Sequence, residues 1–391
     1  MLVHRPRTQL ALGSASNVIY VLTVQALGLI FLKPDNFGLF SIQYLLGALA
    51  GSVCLSVVAE AWMREEIRTG VNWSWKTYAN AATWVSLGGV AVTMAVSLVF
   101  SDLRVIAVSG SVAVGLATYR VATRFYDVRK ARYLHVVAGD VAGAGLALTV
   151  AIGSVAAGQK VGLQTLTWAW IAAGVGPLLL GGWPVGVSAM SARSWVRSHA
   201  ASIKVLARDS VITDLSGIGT PLMLSPVLGV QGLGVYRAMS NAAAPVRLLV
   251  TPLRPALAGV SLAKVVSPRP ALLIMLTAAL PGIGCWVLLD LVRQVADIGT
   301  LTSLSAHSAT VGLFVSGTFL LHIFSMFART NLTGRGLLVG RILQLVLCMG
   351  LPLTFATTVG LSGAMVAYAS ATLCSGIMWC VLLARHVASA V

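Results

Sequence analysis

The chain has 391 residues, of which 57% are hydrophobic and only 10% charged, and it carries a formal net charge of +16. That apolar content excludes an ordinary soluble globular domain and points to an integral membrane protein. The positive charge does not indicate nucleic acid, because the basic residues sit in short segments between long apolar runs, the pattern expected of a polytopic membrane protein.

Taken in order, the apolar runs predict twelve spans near residues 11–32, 37–61, 78–100, 105–122, 134–157, 166–189, 209–228, 235–259, 271–292, 308–327, 336–357 and 361–384. His4, Arg5 and Arg7 before the first run resemble the start of a signal peptide, but the run is too long for a signal core and is followed at once by a second span. An even number of spans puts both termini on one side. Of the 27 Lys and Arg residues, 18 then fall in the segments assigned to the cytoplasm, 4 (Lys33, Arg104, Lys160, Arg293) in the outer loops, and Arg120, Arg237, Arg247, Arg254 and Arg341 within spans. This bias places both termini in the cytoplasm. It also disfavours an eighth segment lying flat on the membrane, which would move Lys264, Arg269, Arg329, Arg335 and Arg385 outside.

The expected architecture is an all-α polytopic membrane protein of about 12 transmembrane helices in two six-helix lobes around a central cavity. The N-terminal lobe covers 1–189, a basic cytoplasmic inter-lobe loop 190–208, and the C-terminal lobe 209–391. An internal repeat is suggested by Phe37-Gly38-Leu39-Phe40 opening the second span and Leu233-Gly234-Val235-Tyr236 opening the eighth, 196 residues later. The same offset carries the first span onto the seventh. Both lobes would share one topology, related by an axis along the membrane normal. Gly47 and Gly51, Gly139 and Gly143, and Gly336 and Gly340 are small residues four apart, read as helix packing positions.

The eighth segment, Leu233 to Lys264, is the anomaly. It holds Arg237, Arg247 and Arg254, with Pro245, Pro252 and Pro255 among them. An arginine at the centre of a bilayer helix costs about 2.5–3.5 kcal/mol even on mild insertion scales. Arg247 and Arg254 share one helix face, and Arg237 lies roughly 80–100° away. Arg237 is near the outer end, where it could snorkel to the headgroups, and Arg254 could reach the inner ones. Arg247 is about twelve residues from either end of a span that needs roughly 20 residues, so it calls for a polar cavity or partners. A proline-bent helix is tolerated where neighbours or water satisfy its backbone.

Of the acidic residues, Asp214 on the seventh span and Asp140 on the fifth are the candidates to balance these arginines or to carry a coupling Na+ or H+. A plain interhelical ion pair is the alternative for each. Arginine forks match phosphate oxygens, so the expected ligand is anionic, phosphate or diphosphate first, whereas a cation exporter would present carboxylates. No GxxxxGK, HExxH or GxSxG motif occurs, so enzymatic catalysis has no support. Cys54, Cys285, Cys348, Cys374 and Cys380 lie in apolar runs without metal-ligand spacing, so no catalytic, metal or cofactor site is expected.

The runs Phe37–Arg64 (FGLFSIQYLLGALAGSVCLSVVAEAWMR), Leu228–Lys264 (LGVQGLGVYRAMSNAAAPVRLLVTPLRPALAGVSLAK) and Val359–Ala371 (VGLSGAMVAYASA) resemble polysaccharide biosynthesis proteins of the lipid-linked oligosaccharide flippase type, within the multidrug/oligosaccharidyl-lipid/polysaccharide exporter superfamily. The resemblance extends over essentially the whole chain. It implies alternating access in a bacterial inner membrane, and movement of a polyprenyl-diphosphate-linked glycan to the outer leaflet. Glycosyltransferases or a polymerase of the same pathway would be partners, and nucleic acid would not. It also implies that cavity-facing basic residues hold the anionic headgroup, a role that Arg247 and Arg254 fit, with Arg237 as the third candidate. The alternatives are a cation-coupled multidrug exporter of the same fold and a non-transporting component of a glycan-synthesis complex.

Overall fold

The computed structural model describes residues 6–70, 74–180, 192–250, 262–295, 297–332 and 334–388. The described residues are helical apart from short connections. Among the described residues, eleven helical stretches are long and apolar enough to cross a membrane. Ten of them match predicted spans one for one. The eleventh, Ser210–Arg247, covers the predicted seventh span and the first half of the eighth, and most of the rest of the eighth, from 251 on, lies outside the described residues. A straight helix of its 38 residues would be about 57 Å long, far more than the roughly 30 Å hydrocarbon core. It is not straight. Gly229 sits at φ 67, ψ 176, a left-handed backbone that only glycine adopts readily, and breaks the stretch where the sequence places the turn between the two spans.

One expectation is corrected. The segment 190–208, read as a loop, is helical from Ala192 to Asp214. Its basic and small polar residues lower its hydropathy, yet Trp195, His199 and Ile203, four apart, are large and face inward. Trp195 and His199 are buried, and Ile203 packs against the same cluster. Arg193, Arg197 and Lys204 are exposed. The helix is therefore amphipathic. Its buried face docks on Trp62, Tyr78 and Tyr126, whose rings pack with centroids 5.0 to 5.3 Å apart. The Trp195 indole N–H donates to the Val57 carbonyl at 3.0 Å, inside the π-helical turn Leu55–Ala59 of the second span. Similar π turns occur at Leu215–Gly219 and Val346–Gly350.

The chain divides into two compact units, one formed by 1–32 with 39–214 and the other by 33–38 with 215–391. In the first unit, the fifth span packs on the first and the sixth, and the third on the fourth. Small residues allow this closeness. A side chain at Gly143 would meet the Ala173 carbonyl and the Tyr20 ring, and one at Gly139 would meet Pro177. In the second unit, Ser308–Asn331 packs along both Leu361–Ala388 and Pro268–Val295. Here Gly340 lies against the ring of the fully buried Trp379.

The first turn of the second span belongs to the second unit because of a reciprocal contact. A Cβ at Gly38 would run into the Val230 carbonyl, and a Cβ at Gly234 would run into the Pro34 carbonyl. Residues 34 and 230, like 38 and 234, are 196 apart. The two helix starts thus cross with each contact matched by its equivalent, the arrangement that the internal repeat in the sequence implies.

Candidate functional site

The eighth span begins after the break at Gly229, and every residue from Gly232 to Asn241 is buried. Arg237 is among them, 8% exposed. A helix enclosed all round offers no route to the headgroups, which corrects the expectation that Arg237 snorkels outward. Its Nη2 lies 3.5 Å from Asn241 Oδ1, one turn along the same helix.

The helix bends after Asn241. Thr220–Ala242 ends, Ala243 forms a turn, and a new helix runs over Ala244–Val250. Pro245 explains the break, because it has no N–H to give to the Asn241 carbonyl and is favoured in the first turn of a helix. That carbonyl instead accepts from the backbone N–H of Ala243. Arg247 reaches back across the bend, where its Nη2 donates to the Ser240 carbonyl at 2.8 Å. A cation on a helix C-terminal carbonyl satisfies an end group and complements the helix dipole. One of the five donors of the fork makes this bond, and the residue is half-buried. Arg254, with Pro252 and Pro255, lies outside the described residues.

Arg237 and Arg247 both bond to the last turn of the helix Thr220–Ala242, at Asn241 and Ser240, and Tyr236 beside Arg237 meets a residue that the sequence reading missed, Tyr368. Tyr368 stacks on Tyr236 at 5.2 Å between centroids and on Phe314 at 4.9 Å. The segment that carries the two arginines thus adjoins three stacked rings from three helices, of which Tyr236 and Phe314 are buried. Phe314 and Tyr368 gave no signal in the sequence, since aromatic residues inside apolar spans are ordinary packing residues.

The candidate acids fall elsewhere. Asp140 is 2% exposed and lies 2.6 Å from Arg120 Nη2 and 3.4 Å from Arg124 Nε, within the first unit. It also accepts from Ser16 Oγ at 2.9 Å. Arg120 in turn donates to Asn17 Oδ1 at 3.0 Å and stacks on the Tyr20 ring at 3.4 Å. Asp140 is thus engaged in an ion pair linking the first, fourth and fifth spans, the alternative that the sequence left open. Asp214 is half-buried and accepts from Ser210 Oγ at 3.1 Å, and Ser210 Oγ is 2.8 Å from Ser52 Oγ. It immediately precedes the π turn Leu215–Gly219, a geometry frequent at functional positions.

The second unit holds eleven Lys and Arg residues against three acids, Asp35, Asp290 and Asp297. From Leu215 to Leu289 there is no acidic residue at all. Among the described residues there is no cluster of three or more His, Cys, Asp or Glu that could hold a metal ion.

No protein-family model matches the chain, and no curated protein matches it. Solved structures do. The chain is similar to a multidrug resistance MATE family transporter of the MOP superfamily in its inward-facing conformation, at 14% identity over 95% of each chain and a TM-score of 0.69. It is similar to an outward-facing structure of such a transporter at 16% identity, covering 99% of this chain and 97% of that one, with a TM-score of 0.57. A third is a MOP superfamily transporter from Pyrococcus furiosus, described as having a binding pocket of reverse polarity that suggests a different function. There the identity is 14%, the coverage 99% and 97%, and the TM-score 0.61. The chain therefore has the all-helical, two-lobed fold seen in these transporters.

Proposed function

We propose that this protein is a transporter that moves a lipid-linked, polyprenyl-diphosphate-bearing oligosaccharide or a related polysaccharide precursor from the inner to the outer leaflet of a bacterial cell membrane by alternating access. The observation that carries the reading is the charge of the second unit, eleven basic residues against three acids, with Arg237 and Arg247 on the bent segment whose Tyr236 stacks on Tyr368. Such arginines suit a diphosphate, which takes guanidinium forks. A drug cation would meet repulsion there. That one transporter of this fold is described with a pocket of reverse polarity supports reading cargo from the polarity of the site rather than from the fold.

In this account Arg247 and Arg254 hold the headgroup, with Arg237 as the third candidate for that role. Asp214 is the remaining candidate for coupling to Na+ or H+. Both termini lie in the cytoplasm, and glycosyltransferases or a polymerase of the same pathway are the expected partners. The test is transport by Arg247→Ala and Arg247→Lys at matched membrane levels. Alanine abolishes leaflet transfer, while lysine, which keeps the charge but loses the fork, retains part of it. Full activity of Arg247→Ala removes that residue from the site. Raised sensitivity to cationic drugs in a deletion strain, with unchanged glycan lipids, moves the protein to the multidrug branch.

A further inference from the structure

A cavity of about 230 Å³ opens in the first unit where the fourth span turns into the fifth. Its charged lining is Arg120, Arg124, Asp127, Arg132 and Asp140, with His135 at the same turn. Three guanidinium groups therefore face two carboxylates. Both carboxylates are engaged by arginine, Asp140 by Arg120 and Arg124 and Asp127 by Arg132 at 3.8 Å. The surplus in the cavity is positive.

Two further features favour an anion. Arg120 is 5% exposed and lines the cavity, where its charge is poorly screened by water. The helix Tyr133–Ala156 also begins here, and its N-cap residue, Arg132, provides no side-chain capping bond. The first-turn N–H groups and the positive end of a 24-residue helix dipole thus add to the arginines. A cation would have to displace arginines from both carboxylates.

Size narrows the ligand. The cavity is smaller than the roughly 300–1,000 Å³ of sites for drug-sized molecules, so it fits a phosphate with a few attached atoms rather than a nucleotide or an oligosaccharide. One wall is apolar, formed by Trp75, Val136, Pro177 and Leu180, and Leu180 is itself exposed. The basic-residue bias assigns this end of the helices to the cytoplasm. We infer that this cavity is a second anion site, separate from the eighth-span arginines, which binds the phosphate group of an anionic lipid or of a small phosphorylated solute at the cytoplasmic face.

The test uses the purified full-length protein in a neutral detergent. Its thermal midpoint is measured during titration with inorganic phosphate, with short-chain phosphatidylglycerol and with short-chain phosphatidylcholine. A rise with phosphatidylglycerol alone identifies the lipid as the source, and a rise with phosphate as well shows that the phosphate group suffices. In either case Arg124→Gln and Arg132→Gln each weaken the apparent affinity about tenfold, the loss of one charge-assisted bond. Arg132 is 57% exposed, so its variant keeps the test available if Arg124→Gln does not fold. The inference is overturned if neither phosphate nor phosphatidylglycerol raises the midpoint, if phosphatidylcholine raises it equally, or if both variants respond as the wild type does.

Discussion

Replacing Asp140 by Asn removes one negative charge from a site where both ion-pair partners are almost fully enclosed. The Asp140 side chain is 2% exposed and that of Arg120 6%. Breaking a buried pair by removing one partner typically costs 3–5 kcal/mol, because the other charge stays buried without compensation. Asn keeps one acceptor oxygen for Arg120 and turns its NH2 to the Ser16 hydroxyl, and the Tyr20 ring still lies 3.4 Å from the guanidinium carbon. Those contacts place the expected loss near the lower end, about 3 kcal/mol. For a unit of this size that corresponds to a fall on the order of 10 °C in the unfolding midpoint. The assay is thermal unfolding in detergent followed by a thiol-reactive dye, which reports exposure of Cys54, Cys348 and Cys380, all buried in the folded protein. The double variant Arg120→Met with Asp140→Leu removes both enclosed charges, leaves only the partly exposed Arg124, which still bonds the Gly13 carbonyl, and should recover at least half of the loss. An Asp140→Asn protein that unfolds within 2 °C of wild type, a limit set below the about 10 °C expected, would refute the ion-pair assignment. So would a double variant less stable than either single one.

Gly234→Ala should cost about 1–3 kcal/mol, since its methyl would meet the backbone carbonyl of Pro34, which cannot rotate away; the same thermal assay reads it. Gly340→Val should cost a similar amount and disturb the Trp379 indole N–H bond to Gln344 Oε1 at 3.1 Å, visible as a change in tryptophan fluorescence. His199 predicts a pH dependence. Burial holds its imidazole below the ordinary 6.5, against smaller opposing effects of the Trp195 carbonyl and Glu65. The unfolded chain then takes up a proton more readily, so its contribution to stability is intact above about pH 6.5 and is lost as pH falls through the lower folded value. Thermal midpoints from pH 8 to pH 5 should fall on the acid side, and His199→Gln should flatten that part of the profile.

The spans were legible in the sequence because apolar runs of about 20 residues have few alternatives. Even the turn at Gly229 lies where the change in pattern places it. The helix over Ala192–Asp214 was not read, because its hydropathy is low and the cue was the four-residue spacing of Trp195, His199 and Ile203. Arg120 was placed within a span but not paired with Asp140, although a cue existed. The turn between the fourth and fifth spans centres near Lys130, so residues 120 and 140 stand at the same height on antiparallel neighbours. Arg237 shows the opposite limit. Position along a span says how far a side chain is from the headgroups, but not whether neighbouring helices enclose it. Nothing in the sequence separated Tyr368 or Phe314 from the other aromatic residues of the spans.

The most direct test of the anionic-cargo account is the leaflet distribution of lipid-linked glycan in the native cell, measured with an external label or enzyme that reaches only the outer face. Depletion of the protein should leave the glycan lipid on the inner face, with rescue by wild type and not by Arg247→Ala expressed at the same level. An unchanged distribution on depletion, or full rescue by Arg247→Ala, would contradict it.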